Sequence, residues 1–219
     1  MKLYLLIFTI SFIVSGCDLQ RPNHSPIPQN PVGQNTSIQD NENLGRTLWQ
    51  KPNVVIDKLG VIKDKTIVDI GAGTGYFTFR LALKGAKVIA TDIDKNMINV
   101  IESFRLNLPQ EIQGRIETRL VTEDDAMIKE NECDIAVIIN TAAYIPNKTR
   151  YFDRLKKILK QDGKIMIVDY KGSKLPQGIA NSNPIIESGE LVTILQKSGF
   201  ANIEVDNTTL DYQYIIIAR

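Results

Sequence analysis

Gly71, Gly73 and Gly75 stand at alternate positions after the apolar run TIVDI and before a run typical of a helix. Because glycine has no Cβ, the backbone there can approach a ligand closely, and the start of a helix offers backbone N–H groups. This combination is typical of a site for a nucleotide-type cofactor. The dinucleotide fingerprint is G-x-G-x-x-G, and Tyr76 occupies its last glycine position in this chain. Tyr76 therefore disfavours a dinucleotide.

Acidic side chains accompany the glycine loop at the ends of predicted strands. Asp69 lies just before the loop, and Asp92 ends the next strand-like run, about twenty residues on. A carboxylate at the position of Asp92 can accept hydrogen bonds from both ribose hydroxyls of a cofactor. This role is common to NAD and methyl-donor folds, so Asp92 by itself does not distinguish between them.

Short β-branched runs alternate with helix-like runs and must position these side chains. This alternation predicts a parallel sheet with helices on both faces. The predicted strands are Thr66–Ile70, Lys87–Ile93, Ile116–Val121, Cys133–Asn140 and Gly163–Tyr170.

The end of the chain departs from a dinucleotide fold. A helix is predicted over Tyr151–Lys160, and another begins with Ser188 as its N-cap and stops at Gly199. Two strand-like runs, NIEVDN and YQYIIIAR, follow with a short link, which predicts an antiparallel hairpin.

Charge and histidine content exclude some functions. The formal net charge is +1, so no global field would attract a nucleic acid. The single histidine, His24, lies in a polar, Pro-rich stretch outside the predicted domain, which removes the commonest metal ligand and general base. No metal site is predicted. Cys133 opens an apolar run, where a small buried thiol is expected.

The run VDIGAGTGYFT resembles motif I of the class I S-adenosylmethionine-dependent methyltransferases, and the closing hairpin is the terminal arrangement of that family. The resemblance implies an α/β fold with a doubly wound, seven-stranded, mostly parallel sheet closed by an antiparallel C-terminal hairpin. It also implies S-adenosylmethionine as the cofactor and methyl transfer as the activity.

The same resemblance assigns the cofactor site. It places Asp69 near the ammonium group of the cofactor and an acid after the third strand against the adenine amino group, with Glu123, Asp124 and Asp125 as candidates and Asp124 favoured. A solvated turn is the alternative for that acidic cluster. The predicted cofactor-binding residues are Asp69, Gly71, Ala72, Gly73, Gly75, Asp92, Ile93, Asp124 and Asn140.

The methyl-transfer side is expected after the fourth strand, where the family lines the acceptor site. Asn140, Thr141 and Tyr144 should border the acceptor there. If the acceptor needs help in losing a proton, Tyr144, Asp169 and Tyr170 are the candidate catalytic side chains. A purely structural role is the alternative for Tyr144 and Asp169.

The chain begins with features of an exported protein. Lys2 precedes the apolar run Leu3–Val14, which is shorter than the roughly 20 residues of a membrane span. The end of this run, VSGC, resembles the bacterial lipoprotein box, which implies lipidation of Cys17. Residues 1–16 are thus predicted to be a signal peptide, 17–43 a lipidated cysteine with a flexible tether, and 44–219 the methyltransferase-like domain.

Within the family, the chain is most similar to an exported or membrane-associated group that carries a Trp-Gln-x-Pro segment before motif I. Here that segment is Trp49-Gln50-Lys51-Pro52. The group carries histidines after the fourth strand and before the last helix, where this chain has Ala142-Ala143-Tyr144 and Ile186-Glu187. Both departures lie on the presumed acceptor side.

Three functions follow, in decreasing order of support. The first is a methyltransferase tethered to a bacterial membrane through Cys17 and acting on a small-molecule or envelope substrate. The second is a catalytically inactive binding module in the envelope, and the third is an NAD(P)-dependent oxidoreductase. Asp18 after the cysteine favours the inner membrane, and an uncleaved leader with the domain on the cytoplasmic face is the alternative.

Overall fold

The computed structural model of the chain describes residues 44–176 and 183–219. The predicted signal peptide, Cys17 and the tether up to residue 43 lie outside the described residues. In the described part of the chain, no helix is both long and apolar enough to span a membrane.

A seven-stranded sheet forms the centre of the domain, with the order β3-β2-β1-β4-β5-β7-β6. Strands β1 to β5 run parallel, whereas β7 runs antiparallel to β5 and to β6. The predicted fold class is confirmed. The strands are β1 Thr66–Ile70, β2 Lys87–Asp92, β3 Ile116–Leu120, β4 Cys133–Ile139, β5 Leu159–Tyr170, β6 Glu204–Asp206 and β7 Gln213–Ala218.

Helices cover both faces of this sheet. Within the described ranges they are α1 Leu44–Gln50, α2 Pro52–Asp57, α3 Tyr76–Leu83, α4 Lys95–Arg105, α5 Gln110–Gln113, α6 Lys148–Ile158 and α7 Ser188–Lys197, and a 3-10 turn spans Ala142–Tyr144. Successive side chains of a strand point to opposite faces. Ile165 and Ile167 of β5 accordingly join the apolar cluster beneath α6 and α7, and Met166 and Val168 join the cluster beneath α2 and α3.

The starts of α6 and α7 differ from those predicted. Helix α6 begins at Lys148, three residues before the predicted start, because the Asn147 side chain accepts a hydrogen bond from the Arg150 amide at 3.2 Å and caps it. Ser188 was predicted as the N-cap of α7, but it is the first helical residue. Glu187 occupies the N-cap position and makes no side-chain cap hydrogen bond.

The strand order creates a switch point at one edge of the sheet, where ligands commonly bind. The chain leaves β1 toward β2 on one side, and later returns to add β4 on the other side of β1. In open α/β sheets, ligands bind outside the carboxyl ends of the strands at such a switch point. The glycine loop after β1 and the residues after β4 meet at this edge.

Candidate cofactor site at the switch point

The three glycines of the loop have different structural roles. All have positive φ angles, of 70° at Gly71, 56° at Gly73 and 85° at Gly75, which disfavour other residues. A Cβ on Gly71 would lie 2.5 Å from Thr141 Cγ2, and one on Gly75 would lie 2.5 Å from Phe79 Cε2. A Cβ on Gly73 would meet nothing within 4 Å. Gly71 and Gly75 thus permit close packing, whereas Gly73 borders open space.

Hydrogen bonds hold the loop in one conformation. The amides of Gly71 and Ala72 donate to the Thr91 carbonyl at 2.9 and 3.0 Å. The Gly73 amide donates to Asp92 Oδ2 at 2.8 Å, and the Gly75 amide donates to the Ala72 carbonyl at 3.0 Å. These four loop amides are therefore engaged within the chain.

Asp69 lies behind the loop and contacts the helix that follows it. Its buried carboxylate accepts a hydrogen bond from the Thr78 hydroxyl at 2.6 Å. Burial raises the pKa of Asp69 to about 6, and the hydrogen bonds from Thr78 and the nearby Arg46 guanidinium oppose this rise. Asp69 thus provides a carboxylate behind the loop, where the sequence places the ammonium group of a cofactor.

Asp92 lies at the carboxyl end of β2, as predicted. Its Oδ2 accepts the Gly73 amide, and its Oδ1 accepts the Asp94 amide at 2.9 Å. Two backbone donors therefore fix the orientation of the carboxylate at the wall of the cavity described next. Each oxygen keeps capacity to accept a further hydrogen bond from a ligand hydroxyl.

A cavity of about 250 Å³ opens beside the loop, between the ends of β1, β2, β3 and β4. Its polar groups include the carboxylates of Asp92 and Glu123, and most of the other lining side chains are apolar. The lining residues are Ile70, Gly71, Asp92, Ile93, Val121, Thr122, Glu123, Thr141, Tyr144, Ile145, Pro146 and Tyr151.

The acidic cluster after β3 brings Glu123, and not the favoured Asp124, to the cavity wall. Thr122 and Asp125 exchange backbone hydrogen bonds at 3.3 Å and close a tight turn. The Asp125 carboxylate accepts hydrogen bonds from the Met127 amide at 2.8 Å and from Arg154 at 3.1 Å. Of the three candidate acids, Glu123 is therefore the one placed to reach a ligand.

The structure separates the candidates on the acceptor side. Tyr144 and Thr141 line the cavity, and Tyr144 is 57% exposed. Asp169 and Tyr170 are buried and do not line it. The Asp169 carboxylate accepts the Tyr170 amide at 2.8 Å and the Ala143 amide at 3.3 Å, and thereby anchors the 3-10 turn that carries Tyr144.

Asn140 contacts the segment before the sheet. It adopts a positive φ of 58°, and its Oδ1 accepts hydrogen bonds from the side-chain amides of Gln213 and, at 3.4 Å, Gln50. Gln50 also donates to Gln213 Oε1 at 3.0 Å, and both glutamines are fully buried. This amide network joins α1 to the ends of β4 and β7, a role that the sequence did not reveal.

Helix α1 covers the glycine loop. Thr47 Oγ1 lies 2.8 Å from the Tyr76 hydroxyl, and the Arg46 guanidinium lies 4.2 Å from the centroid of the Tyr76 ring. Trp49 packs against Tyr170, with ring centroids 6.0 Å apart. Arg46 was not among the predicted site residues. Its spacing of four residues from Gln50 places both on one helix face but does not show what that face contacts.

The buried carboxyl of Asp169 predicts a specific pH dependence. Burial raises its pKa to about 6, against about 4 in an unfolded chain. The folded protein then holds the extra proton, so the stability linked to Asp169 is complete below about pH 4 and is lost as the pH rises through about 6. Between about pH 4 and pH 6, Asp169 should therefore lower the wild-type free energy of unfolding by up to about 1.4 kcal/mol per pH unit. We expect this contribution to the slope to be absent in Asp169→Asn.

Urea unfolding at several pH values between 4 and 7 measures this slope. Asp162→Asn, which alters an exposed side chain, is the control and should retain the wild-type slope. Parallel curves for Asp169→Asn and wild type would contradict the prediction.

Comparisons with known proteins agree with this geometry. The sequence model of a family described as "Methyltransferase domain" matches residues 62–208. The chain belongs to this methyltransferase family. Its glycine loop, its cavity and most of the sheet lie within the matched residues, and the prediction of a methyltransferase is confirmed.

Curated relatives share limited sequence identity with the chain. Phosphoethanolamine N-methyltransferase 2 of Caenorhabditis elegans is 24% identical over 172 residues, which are 74% of this chain and 39% of that protein. A tRNA U34 carboxymethyltransferase of Ruthia magnifica is 25% identical over 185 residues, or 78% of this chain and 55% of that protein. The chain thus spans about two fifths to just over half the length of these relatives.

A solved structure shows the same fold over nearly its whole length. The crystal structure of an S-adenosylmethionine-dependent methyltransferase from Aquifex aeolicus superposes with a TM-score of 0.72 and 20% identity, and the match covers 84% of this chain and 96% of that one. The domain thus carries the methyltransferase fold without a large insertion.

Proposed function

We propose that this chain transfers a methyl group from S-adenosylmethionine to a small-molecule or envelope acceptor while it is anchored to a bacterial membrane through a lipid on Cys17. The observation that carries the transferase part is the cavity at the switch point, where Asp92 is fixed by two backbone donors beside the open space at Gly73. The VSGC run at Cys17 supports the anchor.

The residues around the cavity fit this cofactor. Asp92 and Glu123 of the cavity wall would hold the ribose hydroxyls and the exocyclic amine of the adenine, and Asp69, buried behind the glycine loop, would lie near the ammonium group. The open space at Gly73 allows the backbone to lie against the ligand, and Ile93 offers an apolar side chain beside Asp92. When bound, the cofactor supplies an electrophilic methyl group on a sulfonium.

The chain itself must align an acceptor with that methyl group and exclude water. Thr141, Tyr144, Ile145 and Pro146 form the wall of the cavity after β4. This wall is mostly apolar, and the Tyr144 hydroxyl is its exposed polar group. Tyr144 is thus the side chain placed to orient an acceptor, while Asp169 supports it by holding the 3-10 turn.

An inactive binding module is the second candidate. Residues 44–219 contain no histidine, and Asp169 and Tyr170 lie away from the cavity. An NAD(P)-dependent oxidoreductase is less well supported, because Tyr76 replaces the last fingerprint glycine.

Incubation with methyl-labelled S-adenosylmethionine and an envelope fraction separates the candidates. A labelled product supports the transferase, and cofactor binding with no product in any fraction supports the module.

The anchor is tested by Cys17→Ser in the full-length chain. We expect wild type to sediment with membranes, mainly inner membranes, and the variant to lose the lipid from its first mature residue. Mass spectrometry of the N-terminal peptide measures the lipid. Cys133→Ala is the control, since it removes the only other cysteine and should stay lipidated. An unlipidated, uncleaved wild-type chain would refute the anchor and favour a leader that holds the domain at the cytoplasmic face.

A further inference from the structure

Arg46 extends from α1 to Tyr76, the first residue after the glycine loop. Its guanidinium lies 4.2 Å from the centroid of the Tyr76 ring, and its Nε donates to Gln50 Oε1 at 2.6 Å. Gln50 in turn reaches Asn140 at the end of β4. These contacts hold the Arg46 side chain beside Tyr76, at the end of the glycine loop.

The charge of Arg46 has no carboxylate partner within the described residues. Arg46 forms no ion pair in the ranges 44–176 and 183–219, and its other nitrogens, Nη1 and Nη2, make no hydrogen bond there. Burial lowers the pKa of its guanidinium, whereas Tyr76, Tyr170 and Asp69 act on it electrostatically in the opposite direction. A partly buried cation without an anion is costly, so this arrangement suits a ligand that brings one.

The nearby Asp69 does not neutralise Arg46 directly. Asp69 is close enough to influence the guanidinium, but its carboxylate binds Thr78 and forms no ion pair with Arg46. The two opposite charges thus lie near each other but are not in direct contact. A ligand with both an ammonium and a carboxylate group can complement such a pair.

Most amides of the glycine loop are already engaged within the chain. The amides of Gly71 and Ala72 donate to Thr91, that of Gly73 donates to Asp92, and that of Gly75 donates to Ala72. A side-chain donor would therefore strengthen the binding of an anion at this end of the site. Nη1 and Nη2 of Arg46 can donate two parallel hydrogen bonds to a carboxylate.

We propose that Arg46 binds the carboxylate at the amino-acid end of the cofactor, opposite the ammonium group held by Asp69. This inference rests on the proposed function. It makes α1 part of the cofactor site and assigns Arg46 a role in selecting a ligand with a complete amino-acid end.

Two adenosyl ligands distinguish this role from a structural one. S-adenosylhomocysteine carries the amino-acid end, and 5′-methylthioadenosine lacks it. Calorimetric titration of the full-length protein with each ligand gives the affinities, and the fluorescence of Trp49, the only tryptophan in the chain, gives a second readout on α1. Arg46→Met keeps an apolar contact with Tyr76 and removes the charge.

We expect Arg46→Met to lower the affinity for S-adenosylhomocysteine roughly 10- to 100-fold and to change the affinity for 5′-methylthioadenosine by no more than about twofold. Arg46→Lys should restore part of the loss. Arg80→Gln, which removes the other cation at the Tyr76 ring, is the control and should leave the ratio of the two affinities unchanged.

An equal loss of affinity for both ligands, or no loss for either, would overturn the inference and leave the proposed function standing. If the wild-type protein binds neither ligand, the proposed function fails, and the inference fails with it. The unchanged affinity for 5′-methylthioadenosine also shows that Arg46→Met is folded.

Discussion

Asp92→Ala is expected to lower the affinity for S-adenosylmethionine roughly 100-fold or more. The reason is that the carboxylate would accept hydrogen bonds from two ribose hydroxyls, and hydrogen bonds to a charged acceptor contribute about 1.5–3 kcal/mol each. The substitution also leaves the amides of Gly73 and Asp94 without their acceptor, which disorders the loop. Isothermal titration of wild type and variant measures the change.

Loss of stability alone could weaken binding, so a matched control is needed. The Asp94 side chain caps α4 by accepting the Asn96 amide at 2.7 Å, but it does not line the cavity. Asp94→Ala should cost about 1 kcal/mol of stability and leave the affinity close to that of wild type. Undiminished binding by Asp92→Ala, or equal losses in the two variants, would refute the assignment of Asp92.

Gly71→Ala is expected to destabilise the folded domain by about 2–4 kcal/mol. The positive φ at this position costs a non-glycine residue about 1–2 kcal/mol, and the new Cβ would lie 2.5 Å from two atoms of Thr141. Relief requires Gly71 and Thr141 to separate, which would widen the cavity that both residues line. Thermal and urea unfolding measure the loss.

Gly73→Ala separates backbone strain from crowding. Gly73 has a similar positive φ, but a Cβ there meets nothing within 4 Å, so the substitution should cost only the strain, about 1–2 kcal/mol. Its larger effect should be on ligand affinity, because the Cβ would occupy the open space beside the loop. Equal destabilisation by both substitutions would show that Thr141 does not constrain the loop.

The fold was predictable because its signals are local and repeated. Each buried parallel strand is a short β-branched run, and the closing hairpin follows from two consecutive strand-like runs. The boundaries were less predictable because they depend on single side chains. Asn147 starts α6 earlier than the apolar pattern suggests, and Leu159 joins β5 by pairing with Cys133 across a shift in register.

The placement of Gly71, Gly73 and Asp92 at one edge of the sheet was also predictable, since they follow or end strands that the topology brings together. The other contacts depend on tertiary structure. The turn between Thr122 and Asp125 decides that Glu123 faces the cavity, and no local pattern distinguishes Glu123 from Asp124. The position of Arg46 is equally invisible in the sequence, because it depends on the packing of α1 against a loop about thirty residues away along the chain.

The most direct test of the account is calorimetric titration of the full-length protein with S-adenosylmethionine and, separately, with NADH. We predict saturable binding of S-adenosylmethionine at micromolar concentrations and no binding of NADH, because Tyr76 occupies the last glycine position of the dinucleotide fingerprint. Binding of NADH alone, or of neither ligand, would contradict it.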